Sequence, residues 1–290
     1  MRPTRTFLTA LLVISLVIGA YAQQDKKTLK VDLDLVLVNV GITNDDNGVV
    51  SGLRPEHFQI FEDKVEQKIE YFSTDNAPLS LGIIFDVSHS MEKKIDLARE
   101  AAVTFLQNGT PEDEYFLVEF NNRAKVAQDF TTDILRLSNR LSFMPPDGNT
   151  AMYDAVYLGL NKVKNGQNPR KALLLITDRE DNHSRYSRRD IREFLREADV
   201  QIYSIDLGRA LIGDLSEMTG GHSYRGSVDE LQDICEKIAA ELKNQYVIGY
   251  SSSNTDRDGK WRKLRLKVNP PPGVSRLHVR AREGYYGPQK

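Results

Sequence analysis

From Leu29 to about Ser73 apolar and polar positions alternate along the chain. A period of two predicts strands with one buried face. LKVDLDLVLVNVGIT reads as one such strand, and NDDNGVV as a hairpin turn with Asn47-Gly48 as its tight pair. FQIFEDKVEQKIEYFS reads as two short strands around a polar turn. From Leu81 to about Leu242 the pattern changes to strands alternating with helices. LGIIF, EYFLVEF, AKVAQDF, KALLLIT and VQIYSIDL are the strands. KIDLAREAAVTFLQ, TDILRLSNRL, TAMYDAVYLGLNKV, SRRDIREFLREA and VDELQDICEKIAAEL carry helical spacing. LGIIF and KALLLIT are apolar at every position, which predicts strands covered on both faces. From about Asn244 the β pattern returns, in QYVIGYSS, KWRKLRLKVN and SRLHVRARE. The fold class expected is α/β: a doubly wound, mostly parallel sheet. A small accessory β domain is expected from the N- and C-terminal segments.

The first residues break this pattern. MRPTRTFLTALLVISLVIGAYAQQ has Arg2 and Arg5, an apolar core and then Ala20-Tyr21-Ala22. That order predicts a signal peptide cleaved after Ala22, and so an exported protein, periplasmic or secreted. No later stretch is apolar for long enough to cross a bilayer, so no transmembrane span is expected after cleavage. The net charge of −2 carries no basic stripe, and nucleic acid is not an expected partner. The one cysteine, Cys235, excludes an internal disulfide. It shares a helical face with Leu231, Ile234, Ile238 and Leu242, which predicts a buried thiol.

Chemistry is sought where open α/β sheets bind ligands, beyond the carboxyl ends of the strands. After LGIIF come Asp86, Ser88 and Ser90; after KALLLIT comes Asp178; and PPDGNTAMYDA places Thr150 at a helix start. Two carboxylates and three hydroxyls are the oxygen donors that Mg²⁺ or Mn²⁺ prefers. Neutral hydroxyls leave an ion with charge to spare, which suits capture of an outside carboxylate. The competing reading of Ser88 and Ser90 is helix capping. His89 reads as an exposed loop residue, and His183 and His222 have no partners at ligand spacing.

Asp86-x-Ser88-x-Ser90 with Thr150 and Asp178 downstream resembles the metal-ion-dependent adhesion site of von Willebrand factor A domains. The flanking β segments resemble an exported bacterial family termed VWFA-related. This resemblance implies metal ligation by Ser88, Ser90 and Thr150, and by Asp86 and Asp178 directly or through water. The partner it implies is a protein offering an aspartate or glutamate carboxylate. Two positions depart from the family pattern: Arg179 stands where a glycine is common, and Asn149 interrupts the usual Gly-Gly-Thr. Arg179, Arg185 and Arg188 are read as a basic rim around the site for an acidic partner.

The expected organisation is a signal peptide over 1–22, a β segment over 23–77, the A domain over 78–243 and a β segment over 244–290 that packs with 23–77. The functional expectation is a binding or adhesion module rather than an enzyme. One alternative is a structural scaffold with a vestigial metal site. A more distant one is a phosphatase of the haloacid dehalogenase type, whose nucleophilic aspartate also ends a buried strand. That chemistry wants a second acid where this chain has Ser88. Neither a G-x-S-x-G elbow nor a Walker loop is present.

Overall fold

The computed structural model describes residues 35–74, 77–210, 212–270 and 276–289. The expected signal peptide lies outside them. A six-stranded sheet is built from β5 (Leu79–Asp86), β6 (Glu114–Phe120), β7 (Ala124–Thr131), β8 (Arg170–Thr177), β9 (Gln201–Asp206) and β10 (Ser223–Arg225). Its spatial order is β10-β9-β8-β5-β6-β7, and only β7 runs antiparallel. The helices are α1 (Ile95–Gln107), α2 (Ile134–Ser142), α3 (Met152–Val163), α4 (Arg188–Glu197), α5 (Gly213–Met218) and α6 (Leu231–Lys243).

Every residue of β5 is buried, because alternate side chains enter two different cores. Leu81, Ile83 and Phe85 face a core completed by α1, α2 and α6, whereas Ile84 faces one completed by α3, α4 and α5. Gly82 is required by close packing: a Cβ there would lie 2.2 Å from the Phe116 ring. The helical stripe read around Cys235 is buried as expected.

The chain leaves β5 toward β6 on one side and returns through β8 to build outward on the other. Strand order therefore reverses between β5 and β8. That is where a doubly wound sheet opens a crevice at its carboxyl edge, and Asp86 and Asp178 stand there.

The β segments at the two ends of the described chain pair with each other in two antiparallel sheets. One has the order β13 (His278–Arg280), β1 (Leu35–Thr43), β11 (Tyr246–Ser251), β4 (Tyr71–Ser73). The other is β14 (Gly284–Tyr286), β12 (Trp261–Val268), β2 (Phe58–Glu62), β3 (Val65–Gln67). Their inner faces share a third core, including Val40, Ile60, Ile248 and Leu264. Three local expectations are corrected. FQIFEDKVEQKIEYFS yields three strands, because its last piece, β4, leaves β3 to pair with β11. Among its described residues SRLHVRARE is a strand only over His278–Arg280, which pairs with β1; β14 begins after this stretch and pairs with β12. The expected hairpin turn forms around Asp45-Asp46 rather than Asn47-Gly48, closed by the Asn47 N–H on the Asn44 carbonyl at 3.1 Å, and the single bridge Thr43 to Val49 follows it.

Candidate functional site

Asp86 ends β5 fully buried, level with Thr177 at the end of β8. One carboxylate oxygen accepts the Thr177 hydroxyl at 2.5 Å and the other accepts the Ser88 backbone N–H at 2.8 Å. The second bond closes a tight Asx-type turn that carries the chain from strand to loop. Burial is the largest influence on this carboxyl and raises its pKa; the bonds from Thr177 and Ser88 oppose it, and the charge of Asp178 adds to it.

The serines do not cap helices. Ser88 precedes the short 3-10 turn His89–Met91, yet its side chain makes no capping bond, and Lys94 stands at the N-terminus of α1. Instead Ser88 Oγ lies 3.1 Å from Ser90 Oγ, and Ser90 Oγ donates to Asp178 Oδ1 at 2.6 Å. Ser90 has one proton and gives it to the carboxylate, so Ser88 is the donor between the serines. The second oxygen of Asp178 accepts from Lys94 Nζ at 2.6 Å.

Thr150 arrives on a separate loop fixed against the first. The backbone N–H of Asp147 donates to the carbonyl of Val87 at 2.9 Å, and that of His89 to the carbonyl of Gly148 at 3.1 Å. Gly148 sits at φ +79°, a conformation open to glycine. Asn122 Oδ1 accepts from both the backbone and the side-chain nitrogen of Asn149 at 2.9 Å. The Asn149 departure thus gains a partner of its own. Thr150 is buried, and its hydroxyl has no hydrogen-bond partner among the described residues.

A third loop follows Asp178 and clamps the start of α3. Asn182 Oδ1 accepts from the Thr150 N–H at 2.9 Å, and the Asn182 N–H returns to the Thr150 carbonyl at 3.0 Å. Asp181 and Ser184 accept from the next free amides, of Tyr153 and Asp154, at 3.0 Å each. These orphan N–H groups need acceptors from outside the helix, so the position of Thr150 is tied to that of Asp178.

The five expected donors therefore stand on three adjoining loops at the sheet crevice. The arginines do not converge in the same way. Arg185 donates to Asp154, and Arg188 joins Arg192 on Asp214 of α5. Arg179 alone stands exposed directly beside Asp178, with no ion-pair partner among the described residues. His89 is exposed, as expected. His222, given no role, is enclosed between Glu241 and Arg280, at 2.7 and 2.9 Å. Thr177 and Lys94 are the site residues that sequence reasoning missed.

Among the described residues no group of three or more His, Cys, Asp or Glu side chains could hold a metal ion. The crevice offers a different donor set: two carboxylates with three hydroxyls, one of them buried without a partner. Hard divalent cations fit such oxygens.

Comparison with known proteins bears on the fold that holds this crevice. Residues 81–180 match the von Willebrand factor type A domain. Inter alpha-trypsin inhibitor heavy chain 4 of Mus musculus is 26% identical over 212 residues, 63% of this chain and 22% of that protein. This chain thus spans about a fifth of the length of that curated relative. Two solved structures of proximal thread matrix protein 1 from the mussel byssus share the fold. Each aligns at a TM-score of 0.52, covering 62% of this chain and 49% of the mussel protein, at 18% and 17% identity. One of the two is described with a zinc-occupied MIDAS motif. The reversed strand order and the crevice belong to the fold these structures share, and within it residues 81–180 are a von Willebrand factor type A domain by their family match.

Proposed function

We propose that this protein is an exported, metal-dependent protein-binding module. Ser88, Ser90 and Thr150 would hold a divalent ion, Mg²⁺ or Mn²⁺, with Asp86 and Asp178 binding it directly or through water. When bound, the ion would supply an electropositive coordination position to an aspartate or glutamate carboxylate of a partner. The observation that carries the reading is the connected set Ser88–Ser90–Asp178, with Asp86 beneath it and the buried, unpartnered hydroxyl of Thr150 beside it. A buried hydroxyl left without a partner is costly, and an ion would give it one. The zinc at the mussel protein's MIDAS motif supports the reading for this fold.

Each residue has a task in binding rather than catalysis. The serines offer neutral lone pairs, Asp86 braces the turn that carries them, and Arg179 stands at the edge as a cation facing an acidic ligand. Export is supported by the Arg-apolar-Ala22 pattern of the first residues. The test is affinity capture from an envelope extract in Mg²⁺ and in chelator, with wild type and Asp86→Ala. The reading predicts a bound protein whose recovery needs both the metal and Asp86. Recovery indifferent to both would reject it.

A further inference from the structure

Lys94 is a poor choice for its place in the chain. Its carbonyl accepts the Ala98 N–H at 3.0 Å, so its backbone opens α1. A helix N-terminus carries partial positive charge and favours acids over cations. Nothing about the helix calls for an ammonium here. Its side chain reaches across to Asp178, whose side chain is only 4% exposed, while its own is 27% exposed. An ion pair so enclosed is weakly screened by solvent and salt.

We infer that Lys94 is an internal cation set against the metal. It rests on the metal-binding reading above, and it adds a direction: Lys94 lowers affinity for the ion alone and couples ion binding to the acidic ligand. Within the bonded set, Asp86 and Asp178 as carboxylates contribute two negative charges and Lys94 one positive, a sum of −1; Arg179, exposed at the edge, is the same in every variant compared and does not change the difference. A divalent ion takes that sum to +1, and a partner carboxylate returns it to zero. Without Lys94 the ion-loaded site would already be neutral and would have less use for the partner. The ammonium therefore works against the half-loaded state and favours the fully loaded one. Binding linkage is reciprocal, so a carboxylate should tighten the ion as much as the ion tightens the carboxylate.

The experiment is a Mn²⁺ titration of the whole protein, read by electron paramagnetic resonance of the free ion, with and without acetate as the carboxylate probe. Lys94→Met should bind Mn²⁺ at least about tenfold more tightly than wild type in the absence of acetate, the effect of one nearby charge. Acetate should then enhance binding less in the variant. Lys94→Arg keeps the charge and should stay close to wild type, as should Lys93→Met, at an exposed neighbour. Thermal melts in chelator report that each variant is folded. Weaker Mn²⁺ binding by Lys94→Met would show that the lysine only orients Asp178, and would overturn the inference. Equal affinities and equal acetate effects would overturn it while leaving the metal site standing. No Mn²⁺ binding by any form would remove the site and this inference with it.

Discussion

Thr150→Val separates a functional hydroxyl from a structural one. Valine keeps the shape of threonine and replaces the hydroxyl by a methyl group. The backbone bonds of Thr150 to Asn182 do not involve the side chain and survive. In the metal-free protein the substitution removes a buried hydroxyl that has no partner among the described residues. Leaving such a group unsatisfied costs about 1–3 kcal/mol. In chelator the variant should therefore be more stable than wild type, by about 1–2 kcal/mol. At about 2–4 °C per kcal/mol for a chain of this size, Tm should rise by roughly 2–8 °C. In saturating Mg²⁺ the order should narrow or reverse. Wild type gains the stabilisation of a bound ligand, about 2.7 kcal/mol at a hundredfold excess over Kd, and the variant, short of one ligand, gains less. Scanning calorimetry in chelator and in Mg²⁺ measures both differences. A variant less stable than wild type in chelator, or one that gains as much from Mg²⁺, would refute the reasoning.

Gly148→Ala places a side chain at φ +79° and a Cβ 2.5 Å from Asn122. It should cost about 1–3 kcal/mol in denaturant melts and weaken Mn²⁺ binding, because the loop bearing Thr150 is anchored there. Asp86 titrates above the ordinary aspartate value, chiefly because it is buried. Between those two values the folded chain holds a proton that the unfolded chain has released, so metal-free stability falls as pH rises through that window. Asp86→Asn removes the effect, so its stability relative to wild type in chelator should rise with pH across that window and level off above it. Burial pushes the Cys235 thiol up to about 12, so a thiol reagent at neutral pH should label the denatured protein and spare the native one; rapid native labelling would contradict the packing.

The layout of the α/β sheet was legible because its strands are apolar runs and its helices amphipathic at full length. The placement of Asp86, Ser88, Ser90, Thr150 and Asp178 at the crevice was legible because each borders a strand end or a helix start that pattern alone delimits. Thr177 was not. It reads as the last residue of a strand, and its bond to Asp86 spans 91 positions. Lys94 reads as part of a polar helix start, and its partner lies 84 positions away. β4, β10, β13 and β14 are three residues each, too short to show a period, and pairing partners decide where they go. The arginine run looked like a rim because its charges are close in sequence. Asp154 and Asp214, distant in sequence, claim Arg185 and Arg188.

Calorimetric titration of Mg²⁺ and Mn²⁺ into the purified protein tests most directly whether this crevice is a metal site. The prediction is saturable binding of one ion per chain by wild type and none by folded Asp86→Ala. Absence of saturable heat from wild type, or equal binding by Asp86→Ala, would contradict it.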